Sequence, residues 1–203
     1  MTMSIVPAAR RPVLAETLPA VLSRSGVTVI LAAALTAAAA QVAIPVPGSP
    51  VPVTGQTFAV LLTAAALGPA RGLAAQGLYL AAGAAGLPVF AGASHGPGVI
   101  FGASGGYLVG FLVAAALVGY GARRGADRSP ALTLLLFALG SLVIYVIGTA
   151  WLCLDTGMGV SAGIAAGVTP FLPGDAAKAL LAAGLLPVTW RLVRREPGDG
   201  EAA

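Results

Sequence analysis

Two ionisable residues near the carboxyl terminus have the types and the spacing of a binding pair. Asp175 and Lys178 are three residues apart, so on a helix their side chains share one face of the first turn. Asp175 can accept hydrogen bonds from N–H donors, and Lys178 can donate to an anionic group. The alternative is an internal salt bridge, which contributes only about 0.2–0.5 kcal/mol on an exposed helix. Inside a membrane an ionisable residue costs roughly 2.5–3.5 kcal/mol, so a ligand role is favoured there.

The composition predicts that these residues do lie in a membrane protein. Of the 203 residues, 58% are hydrophobic and only 9% are charged, which is outside the range of soluble domains. A spanning helix needs about 20 mainly apolar residues, so the chain has room for about five to seven crossings. The net charge of +4 does not indicate nucleic-acid binding, because the basic residues form no face interleaved with aromatic residues. Membrane lipid is the expected environment.

Proline and glycine divide the chain into apolar segments. We predict an all-α, polytopic integral membrane protein with six transmembrane helices at 26–44, 55–68, 70–87, 103–122, 130–153 and 174–194. The membrane domain is predicted at 26–194, between an amino-terminal tail at 1–25 and a carboxyl-terminal tail at 195–203. A cleaved signal peptide is disfavoured, because the first apolar run exceeds the roughly 7–15 residues of a signal core and five more segments follow.

The arginines predict the orientation, since loops that face the cytoplasm carry an excess of Lys and Arg. All of them fall on one side of a six-helix chain: Arg10, Arg11, Arg24, Arg71, Arg123, Arg124, Arg128, Arg191, Arg194 and Arg195. The opposite loops, 45–54, 88–102 and 154–173, contain no Lys or Arg. Both termini are therefore predicted to be cytoplasmic.

The three outer loops are long and rich in glycine and proline. Such backbone cannot face lipid, so it must fold over protein or line a cavity. Apolar residues within the loops, such as Val51 and Phe90, favour a lid over an outward-facing pocket. The alternative is that the loops are plain connectors.

Two short polar or glycine-rich stretches supply further candidates. Ser104, Gly105 and Tyr107 open the fourth helix, where glycines permit close approach and the tyrosine offers a flat surface with a hydroxyl. The stretch lacks the phosphate-binding pattern GxxxxGK[ST], so no ATP site is predicted. Thr54 and Gln56 form a polar cluster at the mouth of the second helix, although helix capping explains Thr54 equally well.

The remaining reactive side chains do not indicate catalysis or metal binding. His95 has no Cys, Asp or Glu nearby, so neither a metal site nor a catalytic triad is supported. Asp155 is predicted to be a solvated carboxylate in an outer loop, and Cys153 a buried small residue in an apolar stretch. No cofactor is expected.

Five ordered motifs together resemble the BioY family, the substrate-binding S components of energy-coupling factor (ECF) vitamin transporters. They are Thr54-Gly55-Gln56-Thr57, Leu78-Tyr79-Leu80, Gly86-Leu87-Pro88-Val89-Phe90-Ala91-Gly92, Gly105-Gly106-Tyr107-Leu108-Val109-Gly110-Phe111, and Pro170-Phe171-Leu172-Pro173-Gly174-Asp175-x-x-Lys178. One departure is Ala103, where the family usually has proline, whereas Ser104 keeps the hydroxyl of the family's threonine.

The resemblance implies a six-helix protein with cytoplasmic termini that binds biotin near its outer surface. The family's Asp and Lys of the last helix match Asp175 and Lys178. Chemical complementarity directs Asp175 to the ureido N–H groups and Lys178 to the valerate carboxylate, although the two roles could be exchanged. The predicted substrate-binding residues are Asp175, Lys178, Tyr107, Ser104, Gln56, Thr54, Phe90 and Gly105.

The function that the resemblance implies is high-affinity capture of biotin in the cell membrane of a prokaryote, without enzymatic activity. The partners are a transmembrane coupling subunit and two cytoplasmic ATPases. Three alternatives stay open: another small vitamin as ligand, a self-sufficient secondary carrier, and an intramembrane enzyme. The last two are disfavoured because no inverted repeat is evident and no nucleophile–base pair lies in the membrane segments.

Overall fold

The computed structural model of the protein describes residues 11–17, 19 and 25–194. Eight α-helices lie in this part of the chain: α1 (Ser25–Ala40), α2 (Gln56–Leu67), α3 (Pro69–Ala84), α4 (Pro97–Phe101), α5 (Gly105–Arg123), α6 (Pro130–Thr156), α7 (Val160–Gly167) and α8 (Leu172–Arg194). Short 3-10 turns lie at Leu14–Thr17, Ala91–Ala93 and Ala126–Arg128. Two short strands, β1 (Ala43–Ile44) and β2 (Val53–Thr54), pair in an antiparallel hairpin.

The six predicted helices correspond to α1, α2, α3, α5, α6 and α8. The start of α6 at Pro130 agrees with its prediction, because proline fits the first turn, where no N–H bond is lost. The end of α1 was predicted too late. The helix stops at Ala40, and the chain then enters the hairpin, where Ala43 pairs with Thr54 and Ile44 with Val53.

Two outer segments predicted as loops contain helices. In the segment 154–173, α7 packs on α6, and a Cβ built on Gly163 would lie 2.2 Å from the Cys153 sulfur. Glycine at this position therefore permits a close contact. Asp155 is exposed, as predicted, but it lies in the last turn of α6 and not in a loop, because this helix continues to Thr156. Cys153, predicted to be buried, is only partly buried. In the segment 88–102, the short helix α4 has only five residues, and none of them is buried.

Gly106 is one of the glycines that permit the close packing of α5 against α6. A Cβ on Gly106 would lie 2.2 Å from the Cβ of Trp151 and 2.8 Å from the carbonyl oxygen of Ile147. Both distances are shorter than those between non-bonded heavy atoms in a packed interior. The two helices therefore approach at a distance that only glycine permits here.

The shortest of the long helices is also the most enclosed. With 12 residues, α2 is about 18 Å long, which is less than the roughly 30 Å hydrocarbon core of a bilayer. Nine of those residues are buried, and the helix contacts α1, α3, α5, α6 and α8. Because protein rather than lipid surrounds it, its backbone and polar side chains are not exposed to hydrocarbon.

Among the residues that the structure describes, three helices are long and apolar enough to cross a membrane: Gly105–Arg123, Pro130–Thr156 and Leu172–Val193. The helices α1 and α2 are also apolar but are shorter than these three. The described part of the chain is thus mostly helical and contains three clear apolar spans.

One end of the bundle collects basic residues, and we call it the arginine end. There the segment 11–17 packs across the helix ends: the amide of Arg11 donates to the Arg123 carbonyl at 3.1 Å, and Val13 is fully buried. The Arg123 guanidinium holds Glu16 in an ion pair of 2.5 Å. Burial alone would raise the pKa of Glu16, but hydrogen bonds from Arg123 and the Val13 amide hold it below its usual value. Part of the predicted tail 1–25 is therefore fixed to the bundle.

A buried carboxylate lies at the same end. The indole N–H of Trp190 in α8 donates to Asp127 at 2.5 Å, and the Arg128 guanidinium lies 4.2 Å from the centre of the Trp190 ring. Burial raises the pKa of Asp127. These contacts attach the end of α8 to the connection between α5 and α6.

Candidate ligand-binding site

A cavity of about 230 Å³ lies at the opposite end of the bundle, which we call the loop end. Its wall is formed by the chains between α1 and α2, between α3 and α5 and between α7 and α8, together with helices α2, α5 and α6. The lining residues are Pro50, Val51, Pro52, Thr54, Gln56, Thr57, Phe90, Ala91, Ser94, Val99, Ser104, Tyr107, Leu108, Phe111, Ile144, Tyr145 and Phe171. All three outer loops therefore contribute to the wall of a cavity, as predicted, the third through Phe171, and they are more than connectors.

Five of the eight predicted site residues lie in this wall: Thr54, Gln56, Phe90, Ser104 and Tyr107. Gly105 does not. A Cβ there would lie 1.8 Å from the carbonyl oxygen of Ile100, so Gly105 lets the chain before α5 turn tightly against the helix. The structure places Asp175 and Lys178 beside the cavity instead of in its wall.

Aromatic rings form one side of the cavity. The rings of Tyr107 and Phe171 are stacked with centroids 6.0 Å apart, and Tyr145 lies tilted at 6.4 Å from Phe171. The Tyr107 hydroxyl donates to the carbonyl oxygen of Gly167 at 2.8 Å. Because the hydroxyl is bonded to the fold, Tyr107 offers a ligand mainly its ring. Such a wall suits a flat or apolar ring system.

Polar groups are held at the mouth of α2. The Gln56 amide donates to the Tyr79 hydroxyl at 2.6 Å, and the Thr54 hydroxyl donates to the Gln56 amide oxygen at 2.8 Å. The Thr54 hydroxyl also accepts from the Gln56 backbone amide at 3.3 Å, but Gly55 is the N-cap of α2 and no side chain caps this helix, so the capping interpretation of Thr54 is wrong. The ring of Tyr79 meets Phe90 edge-on at 5.4 Å.

Asp175 and Lys178 form one hydrogen-bonded cluster with α2 and α6. The Asp175 carboxylate accepts from Thr57 at 2.8 Å, from the Tyr145 hydroxyl at 2.5 Å and from the Lys178 ammonium at 2.7 Å. The ammonium also donates to the Thr54 carbonyl oxygen at 2.7 Å and to the Thr57 hydroxyl at 2.8 Å. All three ammonium hydrogens thus have partners within the protein. The internal salt bridge considered from the sequence is therefore present. It is largely buried, because Asp175 is only 7% exposed.

This cluster is adjacent to the cavity through shared residues. Thr57 and Tyr145 line the cavity and bond directly to Asp175, and Thr54 does the same for Lys178. A ligand that reached the carboxylate or the ammonium would exchange one of these internal hydrogen bonds for its own. The site therefore consists of an apolar, aromatic cavity with the charged pair of Asp175 and Lys178 at its border.

The sequence analysis missed several residues of the wall, among them Phe111, Tyr145 and Phe171. An aromatic residue in an apolar segment gives no local sign that it faces a cavity. Tyr145 carried the clearest signal, because a buried hydroxyl usually has a hydrogen-bond partner and its helix, α6, packs against α8. Within residues 11–17, 19 and 25–194, no group of three or more His, Cys, Asp or Glu is placed to hold a metal.

The comparison with known proteins identifies the family. The model of the BioY family matches residues 11–195. The chain belongs to the BioY family. This confirms the resemblance that the five motifs indicated.

Named BioY proteins are similar over most of their length. The chain is 40% identical over 154 residues to the probable biotin transporter BioY of Pyrococcus horikoshii, covering 76% of this chain and 88% of that protein. It is 38% identical over 154 residues to the biotin transporter BioY2 of Lactococcus lactis subsp. cremoris, covering 75% and 82%. A crystal structure of the S-component for biotin from an ECF-type ABC transporter matches with a TM-score of 0.76 and 25% identity, over 87% of this chain and 93% of that one.

Proposed function

We propose that this protein binds biotin with high affinity and serves as the S component of an ATP-driven ECF-type uptake transporter. Family membership and the named relatives support a transport protein rather than an enzyme. The observation that best supports biotin as the ligand is the cavity at the loop end, where Tyr107, Tyr145 and Phe171 offer apolar surface next to Asp175 and Lys178. Biotin matches both the apolar surface and the charged pair, because it has a fused ring with ureido N–H groups and an apolar chain that ends in a carboxylate.

In this proposal Asp175 accepts from the ureido N–H groups and Lys178 meets the carboxylate, or the two roles are exchanged. Tyr107, Phe90, Ser104, Thr54 and Gln56 contact the ligand from the cavity wall. Gly105 shapes the entry to α5. Binding replaces part of the internal network around Asp175, and the hydrogen bonds from Thr57 and Tyr145 keep that carboxylate oriented.

The first test is a calorimetric titration of the detergent-purified protein with biotin, beside lipoate as a matched control. Lipoate carries the same five-carbon acid chain but no ureido group. We expect a dissociation constant below about 1 µM for biotin, equivalent to about −8.2 kcal/mol, and binding at least a hundredfold weaker for lipoate. Equal affinities would show that the protein does not recognise the ureido group. Absence of biotin binding by folded protein would exclude biotin as the ligand.

We also propose that α1, α2, α3, α5, α6 and α8 together make six passes through the cell membrane, with both termini in the cytoplasm. The clustering of Arg11, Arg71, Arg123 and Arg128 at the end opposite the cavity supports this orientation. The cavity then faces outward, and the arginine end faces the cytoplasmic ATPases and the coupling subunit.

The orientation is testable with single cysteines in a Cys153→Ala background. The exposed residue His95 at the loop end and the exposed Arg124 at the arginine end are each replaced by cysteine. We expect a membrane-impermeant thiol reagent to label His95→Cys in intact cells, and Arg124→Cys only after the cells are permeabilised. The reverse pattern would invert the proposed topology.

A further inference from the structure

The chain between α3 and α5 forms part of the cavity wall through its first turn. Phe90, Ala91 and Ser94 line the cavity, and we call residues 88–94 the lid loop. Phe90 is only 1% exposed, and a Cβ on Gly83 of α3 would lie 2.1 Å from the tip of its ring. The lid loop is therefore anchored to α3 by an aromatic ring.

A second anchor holds the lid loop from the side of α1. Gln41 directly follows α1, and its amide nitrogen donates to the carbonyl oxygens of Phe90 at 3.2 Å and Val89 at 3.4 Å. Its amide oxygen accepts from the backbone N–H of Ala93 at 3.1 Å. One exposed side chain thus makes three hydrogen bonds to a loop about 50 residues away in sequence.

The backbone at this anchor is in a conformation that needs support. Ala93 has φ of +57°, and the preceding Gly92 has φ of +64°. A residue with a Cβ is disfavoured in the left-handed region, and it persists there when its surroundings hold it. The bond from the Ala93 amide to Gln41 is one such restraint.

The structure assigns Gln41 as a positioning residue that keeps the lid loop closed over the cavity. This assignment rests on the proposed function, because it concerns retention of the bound biotin. Gln41 does not line the cavity, so it acts through Phe90, Ala91 and Ser94. Its amide also donates to the Ala37 carbonyl oxygen in the last turn of α1 at 3.0 Å. The lid loop is therefore joined to the end of α1, and a displacement of that end would be transmitted to the cavity.

The test compares wild type with Gln41→Met, which keeps the length of the side chain and removes its hydrogen bonds. The neighbouring exposed Val42 provides the control variant Val42→Ala. Protein loaded with labelled biotin is diluted into excess unlabelled biotin. We expect Gln41→Met to release biotin about tenfold faster, with an association rate within twofold of wild type, because an open lid mainly affects escape. Val42→Ala is expected to match wild type.

Hydrogen exchange without added biotin supplies the second readout. In Gln41→Met we expect faster exchange at residues 88–96 and unchanged exchange in α5 and α6, which a general loss of stability would not produce. Gln41→Asn, which keeps the amide on a shorter arm, provides a second variant with the same expectation. Wild-type release rates in either folded variant, or exchange that rises along the whole chain, would overturn the assignment. If wild type binds no biotin, the proposed function fails, and the exchange result still tests the anchor separately.

Discussion

Replacement of Asp175 by Asn or of Lys178 by Met is expected to weaken biotin binding at least tenfold, or about 1.4 kcal/mol. Asn keeps the size of the aspartate but loses a carboxylate oxygen that accepts from ligand N–H groups. Met keeps the length of the lysine but removes the ammonium. Titration calorimetry with biotin, beside wild type, measures both effects.

The double variant separates ligand recognition from internal stabilisation. Lys178→Met alone leaves the Asp175 carboxylate, 7% exposed, without its cation, and removing one partner of a buried pair is more destabilising than removing both. We therefore expect thermal stability to recover in Asp175→Asn/Lys178→Met while biotin binding stays weak. Recovery of binding together with stability would mean that the pair only supports the fold. Unchanged binding in both single variants would place recognition elsewhere in the cavity.

A single methyl group on Gly106 is expected to disrupt the packing of α5 on α6. In Gly106→Ala the new Cβ would meet the Cβ of Trp151 at 2.2 Å and the Ile147 carbonyl oxygen at 2.8 Å. Overpacking of this kind costs about 1–3 kcal/mol, and relief requires the backbone of α6 to move. Gly106 lies between Ser104 and Tyr107 in sequence, so the shift would also distort the cavity wall. We expect a lower unfolding midpoint and weaker biotin binding.

The matched control is Gly184→Ala in α8. Gly184 is also helical, but its Cβ would have no atom within 4 Å. Alanine favours a helix by about 1 kcal/mol over glycine, so this variant is expected to be as stable as wild type or more stable. Thermal unfolding of the two variants in detergent measures the difference. Equal stability of Gly106→Ala and Gly184→Ala would show that α5 and α6 can separate without cost.

The sequence predicted the long helices well because their boundaries depend on local chemistry. Pro130 begins α6 as expected, and the apolar runs on either side of Gly68 separate α2 from α3. The helix α7 was missed because its formation in a Gly- and Ala-rich segment depends on packing against Cys153. Periodicity within one segment contains no information about such a contact.

The candidate site was predicted only where residue chemistry was unusual for its surroundings. Asp175 and Lys178 were evident because charges are rare in apolar helices, and Thr54 and Gln56 because they are polar at a helix start. Tyr145 and Phe171 were not, since their place in the wall follows from the tertiary arrangement of α6 and α8. The proximity of Thr57 to Asp175, 118 positions away, is likewise a property of the assembled bundle.

The short, enclosed α2 constrains how this protein can be inserted during synthesis. A 12-residue segment is too short to leave the translocon as an independent span, and a single residue, Gly68, separates it from α3. We expect α2 and α3 to enter the bilayer together as a helical hairpin. Gln56 can then reach its partner Tyr79 in α3, whereas Thr57 remains without its partners Asp175 and Lys178 until α8 has been made. Because Asp175 and Lys178 lie in α8, which follows α2 and α6 in the chain, the network around Asp175 can form only after α8 has emerged from the ribosome.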